Sequence, residues 1–106
     1  MFGSFFTANP ADLDGVAFKK AFNANHDAVL IDVRTPAEYA QGFIDGAINI
    51  DIMSADFQNR IATLDKGKTY FVYCRSGNRS GQGCQYMKSQ GIKAFNLVGG
   101  IGAWPK

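Results

Sequence analysis

Short apolar segments rich in β-branched and aromatic residues alternate with helical patterns along this chain of 106 residues. Compact apolar runs of this kind are typical of strands in a parallel sheet, whose two faces are both covered by helices. Strands that alternate with helices favour an α/β fold with a mainly parallel sheet. The predicted strands are residues 2–7, 28–33, 47–50, 69–73 and 93–98.

The apolar residues between these segments recur at helical spacing and predict helices over residues 10–24, 53–64 and 80–90. Asn9 is the expected N-cap of the first helix, with Pro10 at its first position. A further short helix is expected after Thr35, because Thr35 and Glu38 have the spacing of a capping box around Pro36. Gly91 has the position of a C-terminal helix cap.

The composition favours one packed globular domain over residues 1–106, since 46% of the residues are apolar. Eleven basic and nine acidic residues give a net charge of +2, which does not favour binding to nucleic acid or to a membrane surface. No apolar run approaches the ~20 residues that span a bilayer, and the first residues lack the pattern of a secretory signal. We therefore expect a monomer in the cytoplasm, with a processed periplasmic chain as the alternative.

The chain contains two cysteines, Cys74 and Cys84, and one histidine, His26. Two cysteines are too few for a disulfide framework, and their spacing matches no zinc motif, so neither a metal nor another cofactor is expected. Cys84 shares a predicted helix face with Met87 and is expected to be a small core residue. His26 lies in a predicted turn and is expected to be exposed.

The segment Cys74-Arg-Ser-Gly-Asn-Arg-Ser80 follows a predicted strand and leads into a predicted helix. Free backbone N–H groups at a helix N-terminus favour negative charge. Arg75 and Arg79 add positive charge, which lowers the pKa of a neighbouring thiol and attracts anions. The segment therefore predicts a reactive Cys74 thiolate beside a site for an anionic substrate.

Polar or glycine residues also follow two other predicted strands, at Asp32–Arg34 and at Gly99–Gly100. Sites in open parallel sheets lie outside the carboxyl ends of the strands. We therefore expect these two segments and the Cys74 loop to meet at one edge of the sheet.

Three motifs in order resemble the single-domain rhodanese family, the thiosulfate sulfurtransferase-like domains. The first comprises Leu30-Ile-Asp-Val-Arg34, Glu38-Tyr39, Gly42 and Ile44-Asp-Gly-Ala-Ile-Asn49, with Phe43 at a position where the family usually has histidine. The second is the loop from Cys74 to Arg79, and the third is Leu97-Val-Gly-Gly-Ile-Gly-Ala-Trp104. Together the motifs span about 75 residues, so the resemblance covers most of the chain.

The resemblance implies a rhodanese-like three-layer α/β fold, in which helices flank both faces of a five-stranded, mainly parallel sheet. It also implies that Cys74 carries sulfur as a persulfide, from a small anionic donor such as thiosulfate or from a related persulfide donor, to a thiol or cyanide. The residues implied in donor binding are Arg75, Ser76, Gly77, Asn78, Arg79 and Ser80. Asp32, Arg34 and Glu38 are implied as supporting residues, with Arg34 expected to pair with Glu38 and Ser80 to cap the helix.

Two other functions are compatible with parts of this pattern. Tyrosine phosphatases and arsenate reductases also place a cysteine and an arginine around a loop at a helix start, but the phosphatase loop has five residues between them. Here four residues separate Cys74 from Arg79, which makes a tighter ring of N–H groups and suits sulfur better than phosphate. A non-catalytic rhodanese-like module is the second alternative, although such modules typically lack the cysteine.

Overall fold

A computed structural model describes residues 9–106, and these residues form an α/β fold around a parallel sheet. The sheet order is β1-β5-β4-β2-β3, and every neighbouring pair is parallel. The described strands are β1 (Asp12–Leu13), β2 (Ala28–Asp32), β3 (Ile48–Asn49), β4 (Thr69–Tyr73) and β5 (Lys93–Leu97). The predicted fold class is therefore confirmed.

Four α-helices connect the strands in residues 9–106, and one 3-10 turn follows β5. They are α1 (Gly15–Ala24), α2 (Pro36–Ala40), α3 (Phe57–Ala62), α4 (Asn78–Ser89) and the turn Ile101–Ala103. Within this part of the chain, no helix is both long and apolar enough to cross a membrane.

The central strand β4 shows why helices cover both faces of the sheet. Tyr70, Val72 and the following Cys74 belong to one buried cluster, which includes residues of α3 and α4. Phe71 and Tyr73 belong to a second cluster, which includes Phe18 of α1. Because successive side chains of a strand point to opposite faces, this alternation gives the three layers that the sequence predicts.

Aromatic rings hold α1 and the C-terminal segment against the sheet. The Phe71 ring packs edge-to-face on Phe18 and Phe22, with centroids 5.4 and 5.6 Å apart. Trp104 lies 6.1 Å from the same two rings, also in edge-to-face geometry. The residues that follow β5 are thereby fixed over α1, close to the edge of the sheet where the loop begins.

The N-terminal helix differs from its prediction at its start. Residues 12 and 13 pair with Asn96 and Leu97 as strand β1, so they are unavailable to a helix. Helix α1 begins after Asp14, whose carboxylate accepts a hydrogen bond from the N–H of Ala17 at 2.9 Å. The predicted Asn9 cap is therefore wrong, and the predicted strand 2–7 lies outside the described residues.

The other helix signals are confirmed, with shifted boundaries. Thr35 and Glu38 form the predicted capping box of α2. Gly91 has a φ of +78°, and its N–H donates to the carbonyl of Lys88 at 3.0 Å, as expected of a C-terminal cap. Helix α3 is shorter than predicted, whereas α4 begins two residues earlier than predicted, at Asn78.

Candidate active site

The register of the parallel strands brings the polar segments together at the carboxyl edge of the sheet. Asp32 at the end of β2 pairs with Tyr73, the residue before Cys74. The N–H of Val33 donates to the carbonyl of Tyr73 at 3.0 Å, and the N–H of Ile101 donates to the carbonyl of Cys74 at 2.8 Å. The predicted meeting of these three segments is confirmed.

Gly77 turns the loop from β4 into α4. It is the N-cap of α4 and has a φ of 101°, in the left-handed region that favours glycine. In this conformation the N–H of Gly77 points back and donates to Cys74 Sγ at 3.0 Å. The turn therefore starts the helix and supplies a donor to the sulfur at the same time.

Gly100 lets the C-terminal turn approach the backbone of the loop. A Cβ atom at this position would lie 1.9 Å from the carbonyl oxygen of Arg75 and 2.5 Å from the nitrogen of Ser76. No side chain fits in that space. The loop is thus fixed against the segment after β5 by direct backbone contact.

The Cys74 sulfur is buried but is surrounded by hydrogen-bond donors. The residue is 0% exposed, and burial by itself raises the pKa of its thiol. Hydrogen bonds from the Ser80 hydroxyl and from the N–H groups of Ser80, Gly77 and Ser76 lower the pKa by more, so the pKa lies below its ordinary value. Relative to an ordinary cysteine, the site therefore favours the thiolate form of Cys74, and the hydrogen-bond donors around Sγ are the cause.

Arg79 forms a bidentate ion pair with Glu38. Its Nη1 and Nη2 atoms donate to the two carboxylate oxygens at 2.8 and 3.0 Å. This contact, together with hydrogen bonds from Thr35, lowers the pKa of Glu38 to about 2. The first helical turn of α2 is thereby connected to the loop.

Arg34 pairs with Asp32, so the predicted Arg34–Glu38 pair is wrong. The Arg34 guanidinium donates to Asp32 at 2.6 and 3.0 Å, and its Nη2 also donates to the carbonyl of Gly42 at 2.7 Å. The Arg34 pKa is raised, first by its hydrogen bond with Asp32. Among the described residues neither side chain hydrogen-bonds to the Cys74 loop, so both stabilise the connection between β2 and α2.

Arg75, Ser76 and Asn78 are exposed at the rim of the loop. Arg75 has no hydrogen bond or ion pair to any residue of the range 9–106, which leaves its guanidinium accessible to an anion. Ser80 does not cap α4, because the helix begins at Asn78 and Ser80 lies buried in its first turn. The Ser80 hydroxyl lies 3.3 Å from Cys74 Sγ and 2.5 Å from Asn96 Oδ1.

Asn96 is the residue of this site that the sequence analysis missed. It is a buried amide in β5, between the apolar residues Phe95 and Leu97. The sequence contained one signal for it. Asn96 is a polar residue between apolar residues of its strand, and that strand ends at the edge of the sheet where the site was predicted.

The remaining cysteine and the histidine lie as predicted. Cys84 is buried beside Met87, and burial raises the pKa of its thiol to about 12. His26 is exposed in a turn. Across residues 9–106, no three His, Cys, Asp or Glu side chains are grouped as metal ligands.

Comparisons with known proteins find relatives that are described as rhodanese-like domains or as sulfurtransferases. The family described as "Rhodanese-like domain" matches residues 16–106. A protein named "Sulfurtransferase" from Allochromatium vinosum is 36% identical over 96 residues, covering 90% of this chain and 88% of that protein. "Thiosulfate sulfurtransferase PspE" from Escherichia coli is 40% identical over 73 residues, covering 67% and 68%. The crystal structure of a rhodanese-like domain protein from Staphylococcus aureus has a TM-score of 0.77 at 27% identity, covering 90% of this chain and 91% of that one.

The lowered pKa of Cys74 predicts a selective reaction with iodoacetamide. Only the thiolate reacts, so the alkylation rate of Cys74 should rise through a midpoint below that of an ordinary thiol. Cys84 should remain unmodified in the folded protein because its pKa is about 12, so almost none of it is thiolate. Rates are measured by peptide mass spectrometry, with the urea-denatured chain as control. A Cys74 midpoint at or above that of the denatured chain would contradict this prediction.

The close approach of Gly100 predicts that Gly100→Ala destabilises the fold and displaces the loop. Overpacking of this kind typically costs about 1–3 kcal/mol, and the displaced N–H donors should raise the Cys74 pKa. Gly102→Ala is the matched control, because a Cβ at Gly102 meets nothing within 4 Å. Urea denaturation and alkylation at neutral pH measure both effects. Equal stability and equal alkylation rates for the two variants would show that the contact between Gly100 and the loop backbone is unimportant.

Proposed function

Since this chain belongs to the rhodanese-like domain family, we propose that it is a sulfurtransferase in which the Cys74 thiolate carries the transferred sulfur. The observation that supports this most directly is the cradle of donors around Cys74 Sγ. A buried sulfur that accepts from the N–H of Gly77 and lies beside the Ser80 hydroxyl is suited to hold negative charge.

The proposed reaction has two nucleophilic substitutions at sulfur. In the first, the Cys74 thiolate attacks the outer sulfur of thiosulfate, the S–S bond of the donor breaks, and sulfite leaves with the bonding pair. Cys74 then carries a persulfide. In the second, a thiol or cyanide attacks the terminal sulfur, and Cys74 leaves as the thiolate.

The N–H groups of the loop stabilise the negative charge in both steps. They are fixed by the turn at Gly77 and by the contact with Gly100, so they need no rearrangement when charge develops. Loss of one donor of this type typically costs ~3 kcal/mol in the transition state. Burial of the sulfur strengthens these contacts because water is excluded.

The two arginines account for the proposed choice of an anionic donor. Arg75 is exposed and free of protein partners in the described range, and Arg79 contributes only two of its five N–H groups to Glu38. The remaining N–H groups of Arg79 are available to the oxygens of thiosulfate, while Glu38 keeps the guanidinium in place. Ser76 and Asn78 add polar groups at the rim.

Thiosulfate is the donor proposed for this chain, and a thiol or cyanide is the proposed acceptor. The name of the Escherichia coli relative, a thiosulfate sulfurtransferase, supports this choice of donor. Asp32 and Arg34 have a supporting role in the proposal, because they fix the β2–α2 connection from which Glu38 reaches Arg79.

Incubation with thiosulfate should add the mass of one sulfur atom to the intact protein. The added sulfur should map to Cys74 and should be removed by cyanide, because both steps pass through the persulfide. Intact mass spectrometry measures it, and Cys74→Ser is the control. Addition to Cys74→Ser would overturn the proposal. So would a wild-type protein that gains no sulfur, the outcome expected of a non-catalytic binding module.

Arg79→Ala should reduce turnover with thiosulfate more than Arg75→Ala does. Loss of a charge-assisted hydrogen bond typically costs about 1.5–3 kcal/mol, so we expect about a tenfold to hundredfold fall in kcat/KM for Arg79→Ala. The exposed Arg75 should contribute less, about twofold to fivefold. A sulfite-release assay compares the two variants. Equal or reversed effects would contradict the role proposed for Arg79.

A further inference from the structure

We propose that Asn96 is a positioning residue that competes with the Cys74 thiolate for the single proton of the Ser80 hydroxyl. The inference rests on the proposed role of Cys74 as nucleophile. It adds a residue of β5 that controls how strongly Ser80 stabilises the sulfur anion.

The location of the Ser80 proton follows from the distance between two oxygens. Ser80 Oγ and Asn96 Oδ1 are 2.5 Å apart, which requires a hydrogen bond between them. The amide oxygen carries no proton, so the proton belongs to the hydroxyl of Ser80. A hydroxyl has only one proton, so Ser80 cannot donate to Asn96 Oδ1 and to Cys74 Sγ at the same time.

The orientation of the Asn96 amide is fixed from its other side. Its Nδ2 donates to the carboxylate of Asp12 at 2.8 Å and to the carbonyl of Gly77 at 3.3 Å. Both of these partners are acceptors, so the NH₂ group must face them and the amide oxygen must face Ser80. Asn96 is only 4% exposed, which protects the arrangement from competition by solvent.

The hydrogen bond between Ser80 and Asn96 has opposite effects on the neutral thiol and on the thiolate of Cys74. With its proton on Asn96, Ser80 presents a lone pair to Sγ at 3.3 Å, which suits a neutral S–H group as donor. A thiolate instead needs the Ser80 proton, and then the buried oxygen of Asn96 is left without a donor. Asn96 therefore works against the thiolate, while the N–H of Gly77 continues to favour it.

The same competition favours the sulfur-loaded enzyme. When Cys74 carries a persulfide, the negative charge moves to the terminal sulfur and Sγ becomes a poor acceptor. The Ser80 proton then returns to Asn96 Oδ1. Asn96 thus stabilises the loaded form relative to the free thiolate, which helps to hold the sulfur until an acceptor arrives.

A substitution at Asn96 tests this competition without removing a charge. The titratable and charged groups on the elements around Cys74 include Asp12 on β1, Asp32 at the end of β2 and Arg34 after it, Glu38 on α2, Asp51 after β3, Tyr73 on β4, Arg75 in the loop, and Arg79 and Cys84 on α4. Replacement of Asn96 by the similarly sized leucine leaves all of them in the chain. Replacement of Asp12 would instead remove a negative charge close to the site.

The experiment measures the pH dependence of Cys74 alkylation by iodoacetamide in a double-mutant cycle of Asn96→Leu and Ser80→Ala. Asn96→Leu should release the Ser80 proton to the sulfur and increase the alkylation rate on the acidic side of the midpoint by about threefold to tenfold. Ser80→Ala should shift the midpoint upwards. In the Ser80→Ala background, Asn96→Leu should have no effect, because no proton is left to share. Gln82→Leu, at an exposed amide of α4, is the matched control and should change nothing.

Two results would overturn the proposal. One is a midpoint that rises or stays unchanged in Asn96→Leu. The other is an equal shift with and without Ser80, which is the result of a structural role that only fixes the loop. Should Asn96→Leu fail to fold, Asn96→Ala carries the same expectation. Alkylation needs no sulfur transfer, so absence of sulfur loading would overturn the proposed function and leave this inference standing.

Discussion

In the proposed function, a buried sulfur that must carry negative charge is the constraint on which the rest of this site depends. Burial alone would raise the pKa of Cys74, and the donors aimed at Sγ lower it by more. These donors belong to the backbone of the loop and to Ser80, so their positions depend on the course of the chain. The lowered pKa of Cys74 is therefore a property of the loop conformation.

Two contacts distant in sequence hold that conformation. The turn after β5 packs its backbone at Gly100 against the loop, in a space too small for a side chain. On the other side, Glu38 of α2 holds Arg79 with two hydrogen bonds while its own helix end is fixed by Thr35. The parallel sheet places both supports correctly, because the carboxyl ends of its strands meet at one edge.

The sequence predicted the parts of the structure that local chemistry decides. The Thr35–Glu38 capping box, the cap at Gly91 and the strand that delivers Cys74 all depend on neighbouring residues, and they are confirmed. The predicted start of α1 was wrong because residues 12 and 13 pair with β5, over 80 residues away along the chain. The predicted partner of Glu38, Arg34, was wrong. Arg34 is close to Glu38 in sequence, whereas the observed partner, Arg79, is 41 residues away.

By itself, then, the sequence determined the fold class and the loop around Cys74, because alternating patterns, helix caps and the three ordered motifs can be recognised along the chain. Only the tertiary structure decided which groups share a proton or a charge. Ser80 has two possible partners, and the choice between them depends on the amide of Asn96, whose orientation is set by Asp12 and Gly77. The strength of a hydrogen bond changes when the distance between donor and acceptor changes by a few tenths of an ångström. Here donor and acceptor lie far apart in sequence, and the packing of β1, β5 and α4 fixes the distance between them.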